Sequence, residues 1–365
     1  MTAIIQTHYF NGAYYPVGGC SQLAARLVPT ILAAGGKVLV RAPVDELLFD
    51  RPGGKCVGAV VKGHEVRASR VVCAVGILNS IALTPSSERA RLGVPTGALR
   101  DGAPLRCDNK TTASVDDDWP IEPSNSFAYL FIGLSARGDG GGAGGGGEGG
   151  VGGGGDQSES ERLAALLPRH NLWVLPSWEH ERDSALPRTL DSADEHPLLM
   201  FISSPSAKDP SWSSRYPGKA TIVALAPTRI EYWRERGGER IHHRGESYDA
   251  FKRRLQERML EKVLEQLPGI DGYVQHVTLG SPLSSNYFLG TRHGESYGLE
   301  HTAKRFNASF LRPTTPVPGL YLTGQDTAVD GVAGAAIAGV LTASVIDVRV
   351  PLANVGLFAT MAATS

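Results

Sequence analysis

Cysteine is scarce in this sequence. Cys20, Cys56, Cys73 and Cys107 are the four in 365 residues, none stands in a CxxC pair, and no His cluster lies near them. This excludes a disulfide scaffold and a zinc site, and agrees with a reducing compartment in which such side chains act as small buried hydrophobes. An excess of one charge is also lacking. With 36 Lys and Arg against 37 Asp and Glu, the formal net charge is −1, and nothing favours nucleic acid. Basic runs such as "RRLQER" fit one exposed helix face. No long apolar stretch occurs either: the most apolar run, Gly331 to Ile346, falls short of the roughly 20 residues of a spanning helix. It is rich in Gly and Ala, which suits a helix lying tightly against a sheet or a cofactor. The opening "MTAIIQTHYF" has neither a basic start nor a long apolar core, so no signal peptide is expected there.

What is present is ordinary in bulk. Hydrophobic residues make up 42% and charged residues 20%, as in soluble globular chains, and the length allows two domains or one with an insertion. Residues 20–34, "CSQLAARLVPTILAA", put Leu23, Leu27, Val28, Ile31 and Leu32 on one side at helical spacing. Ser21 can cap this helix, Gly35-Gly36 ends it, and Pro29 predicts a kink. "KVLVRAP" reads as a short buried strand, and "VDELLFD", "GKCVGAVV", "HEVRA" and "RVVCAVG" as strands joined by Gly-bearing turns. Beyond Ile77 the runs "SFAYLFIGL", "NLWVLP", "PLLMFIS" and "ATIVALAP" predict an antiparallel sheet. A helix is predicted over 247–267, where Phe251, Leu255, Met259, Val263, Leu264 and Leu267 form a stripe that Pro268-Gly269 stops.

The glycine-rich stretch 138–155 matches GxGxxG several times over. A diphosphate loop needs a helix starting inside the motif with apolar residues to hold it on a sheet, and this stretch has almost none. It reads as a disordered surface insert. No other segment supplies such a loop.

Three segments bear chemistry. "YLTGQDTAVDGVAGAAIAG", Tyr321 to Gly339, reads as a strand, a turn with one carboxylate and a helix opened by glycines. Gly324 permits close approach of a ligand, and Asp326 can accept hydrogen bonds from a polyol. The bare helix start from Gly331 to Ala335 can face an electron-rich carbonyl edge such as that of a flavin. "YYPVGG" places Gly18 and Gly19 at a helix entrance, where a ring or phosphate can come close. In "GSPLSSNYFLGTRHGESYGLEH", Tyr287, Phe288 and Tyr297 lie among glycines, which suits either a loop lining an apolar cleft or ordinary core contacts.

The blocks "GAYYPVGG", "AGGKVLVRAPVDELL", "SAKDPSW" with "YPGKATIVAL", "GSPLSSNYFL" and "LYLTGQD" occur in order over nearly the whole chain. In them the sequence resembles the retinol saturase branch of the phytoene desaturase and carotenoid isomerase flavoproteins. In that family a βαβ unit with the diphosphate loop precedes the first block. The resemblance therefore implies about the C-terminal two-thirds of such a protein, with an FAD site whose first half is absent.

The fold so implied is α/β: an incomplete FAD/NAD(P)-binding, glutathione-reductase-like domain over 1–76 and 276–350. An inserted α+β antiparallel-sheet substrate domain would span 77–275. By the resemblance, Gly18, Gly19, Val44, Gly324, Asp326, Gly331, Val332, Gly334 and Ala335 contact FAD, with Val44 at the adenine. Tyr287, Phe288 and Gly298 fall to the substrate side, and Tyr297 and His301 are the proton-donor candidates. The implied activity is saturation of one C=C bond of a retinoid or carotenoid-like polyene, with carotenoid isomerisation or desaturation, or a non-catalytic fragment, as alternatives. An apolar polyene is the implied partner, and no motif supports a nicotinamide electron donor. By analogy with the family, peripheral membrane association at the endoplasmic reticulum or in a plastid is expected.

Overall fold

The structure, a computed structural model, describes residues 14–94, 121–136, 157–186, 196–237 and 243–347. The glycine-rich insert and Cys107 lie outside them. The chain divides into two compact units, one from Leu39–Asn125 and Ser285–Ser365, the other from Gly12–Val38 and Ser126–Ser284.

The first unit opens with an antiparallel meander of Val44–Phe49 (β1), Cys56–Val61 (β2) and His64–Arg67 (β3), in the order β1-β2-β3. Gly58 sits in β2 because a Cβ there would stand 2.1 Å from the carbonyl oxygen of Val66 across the ladder. Val71–Cys73 (β4) then pairs in parallel with Leu320–Leu322 (β10), Val71 opposite Leu320 and Cys73 opposite Leu322. The closing strand thus returns beside an early one, although the second unit's sheet intervenes in sequence. Leu47, Cys56, Ile77, Ile81, Leu299 and Leu322 are among the buried residues of this unit's core.

The helix Gly331–Ile346 follows β10. It buries a single stripe, Gly334, Ala338 and Thr342, at four-residue spacing. The Thr342 hydroxyl donates within 2.9 Å of both the Leu322 and Ala338 carbonyls, fixing the helix to the strand. Gly334 is small of necessity, since a Cβ would come within 2.1 Å of the Val329 carbonyl oxygen. Val332, Ile337, Val340, Leu341 and Val345 are exposed.

The second unit holds a five-stranded antiparallel sheet, ordered β6-β7-β8-β5-β9. Its strands are Ser126–Ser135 (β5), Leu172–Val174 (β6), Met200–Ser203 (β7), Lys219–Thr228 (β8) and Val274–Gly280 (β9). β5 and β8 pair over their full length, from Ser126 opposite Thr228 to Ser135 opposite Lys219. Strict alternation buries Leu130, Ile132, Ile222 and Ala224 on one face. The helix Glu246–Gln266 contributes Phe251, Leu255, Met259 and Val263 to the same core. Full burial of such a side chain stabilises the unit by about 1.5–3 kcal/mol.

Two expectations are corrected. "KVLVRAP" forms no strand: residues 37–43 have no regular structure, and Val38, Leu39 and Val40 are exposed. A short apolar run becomes a strand only where a neighbour takes its N–H and C=O groups, and no described strand pairs with it. The helix Ser21–Ala33 does form, and it continues through Pro29, but it buries no residue, and Cys20 rather than Ser21 stands at its N-cap. Its end is as read, with Gly35 at a φ of +79°.

Candidate functional site

Because β4 and β10 run in parallel, their carboxyl ends lie at one edge, where open α/β sheets offer a ligand crevice. Two segments leave from that edge. After Cys73 the chain turns through Gly76 into the helix Ile77–Leu83; after Leu322 it passes Gly324 to reach Asp326. Asp326 is buried. One carboxylate oxygen accepts the backbone N–H of Ile77 at 2.8 Å, and the other accepts that of Leu299 at 3.0 Å. Side chains at Gly76 and Gly298 would block this: an added Cβ would lie 3.1 Å and 2.1 Å from the Asp326 oxygens. One side chain therefore ties together a helix start, a strand end and the loop before Leu299.

Those segments enclose a cleft of about 240 Å³, walled by Gly76, Asn79, Thr291, Glu295, Gly298 and Asp326 among others. Its lining is more polar than the sequence suggested. Arg292 donates through Nε to the Asn79 side-chain oxygen at 3.1 Å. Glu295 accepts the backbone N–H of His293 at 2.7 Å, yet burial, joined by the charge of Asp326, raises its carboxyl above the usual range. The Thr291 hydroxyl is buried with no partner. Behind the wall Arg305, itself buried, donates to the carbonyls of Leu299 and Gln325. Burial lowers its pKa, against the opposing pull of Asp326 and Asp330.

The expected site residues distribute unevenly. Asp326 and Gly298 meet in the cleft wall, and Gly324 turns the strand toward it with a φ of +100°. Gly331, at a φ of +79° with open space around it, begins its helix with Val332 and Ala335 exposed nearby. Val44 starts β1 opposite Val61. His301 is held by the start of that last helix: its Nε2 lies 3.1 Å from the Asp330 carboxylate and 3.2 Å from the Asp330 backbone nitrogen, and Nδ1 faces Arg305 at 3.4 Å. Burial and then Arg305 push its imidazole pKa down. Tyr297 is 38% exposed, its backbone N–H bonded to the Ser124 hydroxyl at 2.9 Å. Tyr287 and Phe288 form an edge-to-face pair, ring centroids 4.9 Å apart, with both rings exposed.

Gly18 and Gly19 belong to the second unit. Both have positive φ, +93° and +89°, and the Gly18 N–H donates to Asp209 at 3.1 Å. Asp209 also accepts from the Ser211 N–H at 3.0 Å and hydroxyl at 2.8 Å, and pairs with Arg215. Burial would raise its pKa, but these partners outweigh it and hold the carboxyl at about 2. "YYPVGG" and "SAKDPSW" are thus neighbours in space.

Sequence reasoning missed Thr291, Glu295, Arg305 and Asp209. Glu295 lies in "GESYG", a carboxylate between two glycines, the same signal that singled out Asp326. Nothing local marks Arg305.

A flavin fits this wall in part. Each Asp326 oxygen, bonded once, retains a lone pair for a polyol hydroxyl, and the bare helix start at Gly331 leaves room for a ring edge. The cleft is smaller than the roughly 300–1,000 Å³ of a whole cofactor site.

No protein-family model matches the chain. A human protein named all-trans-retinol 13,14-reductase is 32% identical over 355 residues, covering 95% of this chain and 51% of the human protein. A zebrafish (Danio rerio) protein of that name is 31% identical, covering 95% and 51%. Another zebrafish protein, named inactive all-trans-retinol 13,14-reductase, is 26% identical, covering 94% and 51%. The chain spans about half the length of the curated relatives it matches, less than the two-thirds that the order of blocks implied. A crystal structure of an oxidoreductase from Methanosarcina mazei covers 91% of this chain and 55% of that one, at 16% identity and a TM-score of 0.47.

Proposed function

From this kinship with the retinol saturase branch we propose that the chain is part of a flavin-dependent oxidoreductase saturating one C=C bond of a retinoid or carotenoid-like polyene. What carries the reading is identity of 31–32% spread over 95% of the chain with proteins named for that reaction. The cleft at the carboxyl ends of β4 and β10 supports it. FAD, when bound, supplies hydride. In this reading the first unit is an incomplete glutathione-reductase-like domain and the second unit a substrate domain.

The chain's own part is to position and to shield. Asp326 keeps the three segments of the wall in register, so that the wall is formed before a ligand arrives. Gly331 and Gly334 keep the start of the last helix slim enough for close approach. Asp209 holds the Gly18-Gly19 turn in its positive-φ shape.

The test is product mass. Protein reconstituted with FAD and reduced without oxygen is given all-trans-retinol; a gain of two hydrogens is expected. Unchanged mass with altered geometry supports an isomerase instead, and unchanged retinol and carotenoids remove the reading. A non-catalytic role is the second reading, favoured by the relative that carries the name inactive. Yellow colour retained through purification would count against it.

A further inference from the structure

Saturating a C=C bond needs a proton as well as hydride, and the two residues expected to give it are poorly placed. Both nitrogens of His301 are engaged, Nε2 by the Asp330 carboxylate and backbone N–H and Nδ1 by Arg305. Tyr297 turns a ring that is 38% exposed and is absent from the cleft lining. The cleft has its own acid. We propose that the carboxyl of Glu295 is the proton donor of this site, protonating one carbon of the double bond while hydride reaches its neighbour. This rests on the reductase reading above.

Three observations place it. Glu295 lines the cleft beside Asp326, on the segment that leads to Gly298. Its carboxylate is oriented by the backbone N–H groups of His293 at 2.7 Å and Arg292 at 3.4 Å, so its position is set by main chain rather than by a flexible partner. The same wall carries the Thr291 hydroxyl, buried and without a partner, so this side of the cleft holds one unsatisfied polar atom.

The charged groups around it are few. Asp326 disfavours a second negative charge, while the backbone N–H groups of Glu295, His293 and Arg292, with the Arg292 guanidinium nearby, favour one. Burial is the largest influence and favours the protonated acid, so the Glu295 carboxyl lies above its ordinary value. The chemistry then balances. The π electron pair of the double bond forms the new C–H bond with the Glu295 proton. A reduced flavin-class donor, when bound, would supply the hydride of the second C–H bond and give up two electrons. Glu295 is left as carboxylate and regains its proton from water.

The experiment compares the FAD-reconstituted protein with its Glu295→Gln and Glu295→Asp variants. Glu295→Gln should slow two-hydrogen addition by about 100-fold or more, the ordinary worth of a general acid, and Glu295→Asp should recover part of the rate. A second readout does not depend on turnover: infrared titration should show a carboxyl band that persists above the ordinary carboxylate range and that Glu295→Gln removes. An active wild type with an equally active Glu295→Gln, or a spectrum in which that substitution removes no band, overturns the proposal and leaves the reductase reading standing. A wild type that reduces no polyene overturns both. Melting curves of Glu295→Asp separate loss of fold from loss of the acid: a folded but inactive Asp variant counts against the proposal, and partial rescue supports it.

Discussion

Asp326 reaches back 249 positions to accept the backbone N–H of Ile77 at 2.8 Å, which fastens the end of β10 to the helix that follows β4. The same carboxylate takes the Leu299 N–H at 3.0 Å. It is a structural clamp as well as a candidate ligand contact. Asp326→Ala should destabilise the protein by about 2–6 kcal/mol, because two buried donors lose their acceptor at about 1–3 kcal/mol each. Asp326→Asn keeps one acceptor and should lose about half of that. Urea unfolding of the three proteins checks the order.

Glycines around the clamp should differ in tolerance. Gly298, at a φ of +64°, has Asp326 Oδ1 2.1 Å from where a Cβ would sit; Gly331, at +79°, has open space. Gly331→Ala should therefore lose only the backbone strain of about 1–2 kcal/mol. Gly298→Ala adds a clash that moves the carboxylate, and should lose about 2–5 kcal/mol. Melting temperatures that rank the two variants the other way would contradict the clamp geometry.

The Asp209 carboxyl gives a pH dependence with a definite sign. Its folded pKa of about 2 lies below the ordinary value of about 3.9. The contribution to stability is full above the ordinary value and is lost as pH falls through the folded one. Between about pH 4 and 2 the stability of Asp209→Asn should fall less steeply than that of the wild type. Acid titration of both in a fixed low urea concentration tests this, and parallel curves would refute it.

Thiol chemistry should separate the cysteines. Cys20 is exposed, whereas Cys56 and Cys73 are buried, and burial pushes the Cys73 thiol up to about 11. Since the thiolate is the nucleophile, native iodoacetamide should modify Cys20 and spare Cys73 until the protein is unfolded. Peptide mass mapping reads this directly.

The sequence was most legible where periodicity met a covered face. The alternation in "SFAYLFIGL" and "ATIVALAP" became β5 and β8, and of the expected stripe Phe251, Leu255, Met259, Val263 and Leu267 are buried and Leu264 partly so, because a sheet and a helix cover each other there. "KVLVRAP" shows the limit. Its composition is that of a strand, but pairing depends on a neighbour that no local pattern encodes. The cleft was half legible: Asp326 and Gly298 stand out in sequence, whereas Glu295 and Arg305 gain meaning only when β10 returns to β4 and brings distant loops together.

The helix Gly331–Ile346 keeps one narrow stripe inside and turns Val332, Ile337, Val340, Leu341 and Val345 outward. Scattered oily side chains are harmless, but a contiguous band invites adhesion. In plain buffer such a protein should cling to plastic and to detergent micelles and drift in apparent mass as its concentration rises. Mild detergent should suppress that drift, a consequence of the side chains on a single helix.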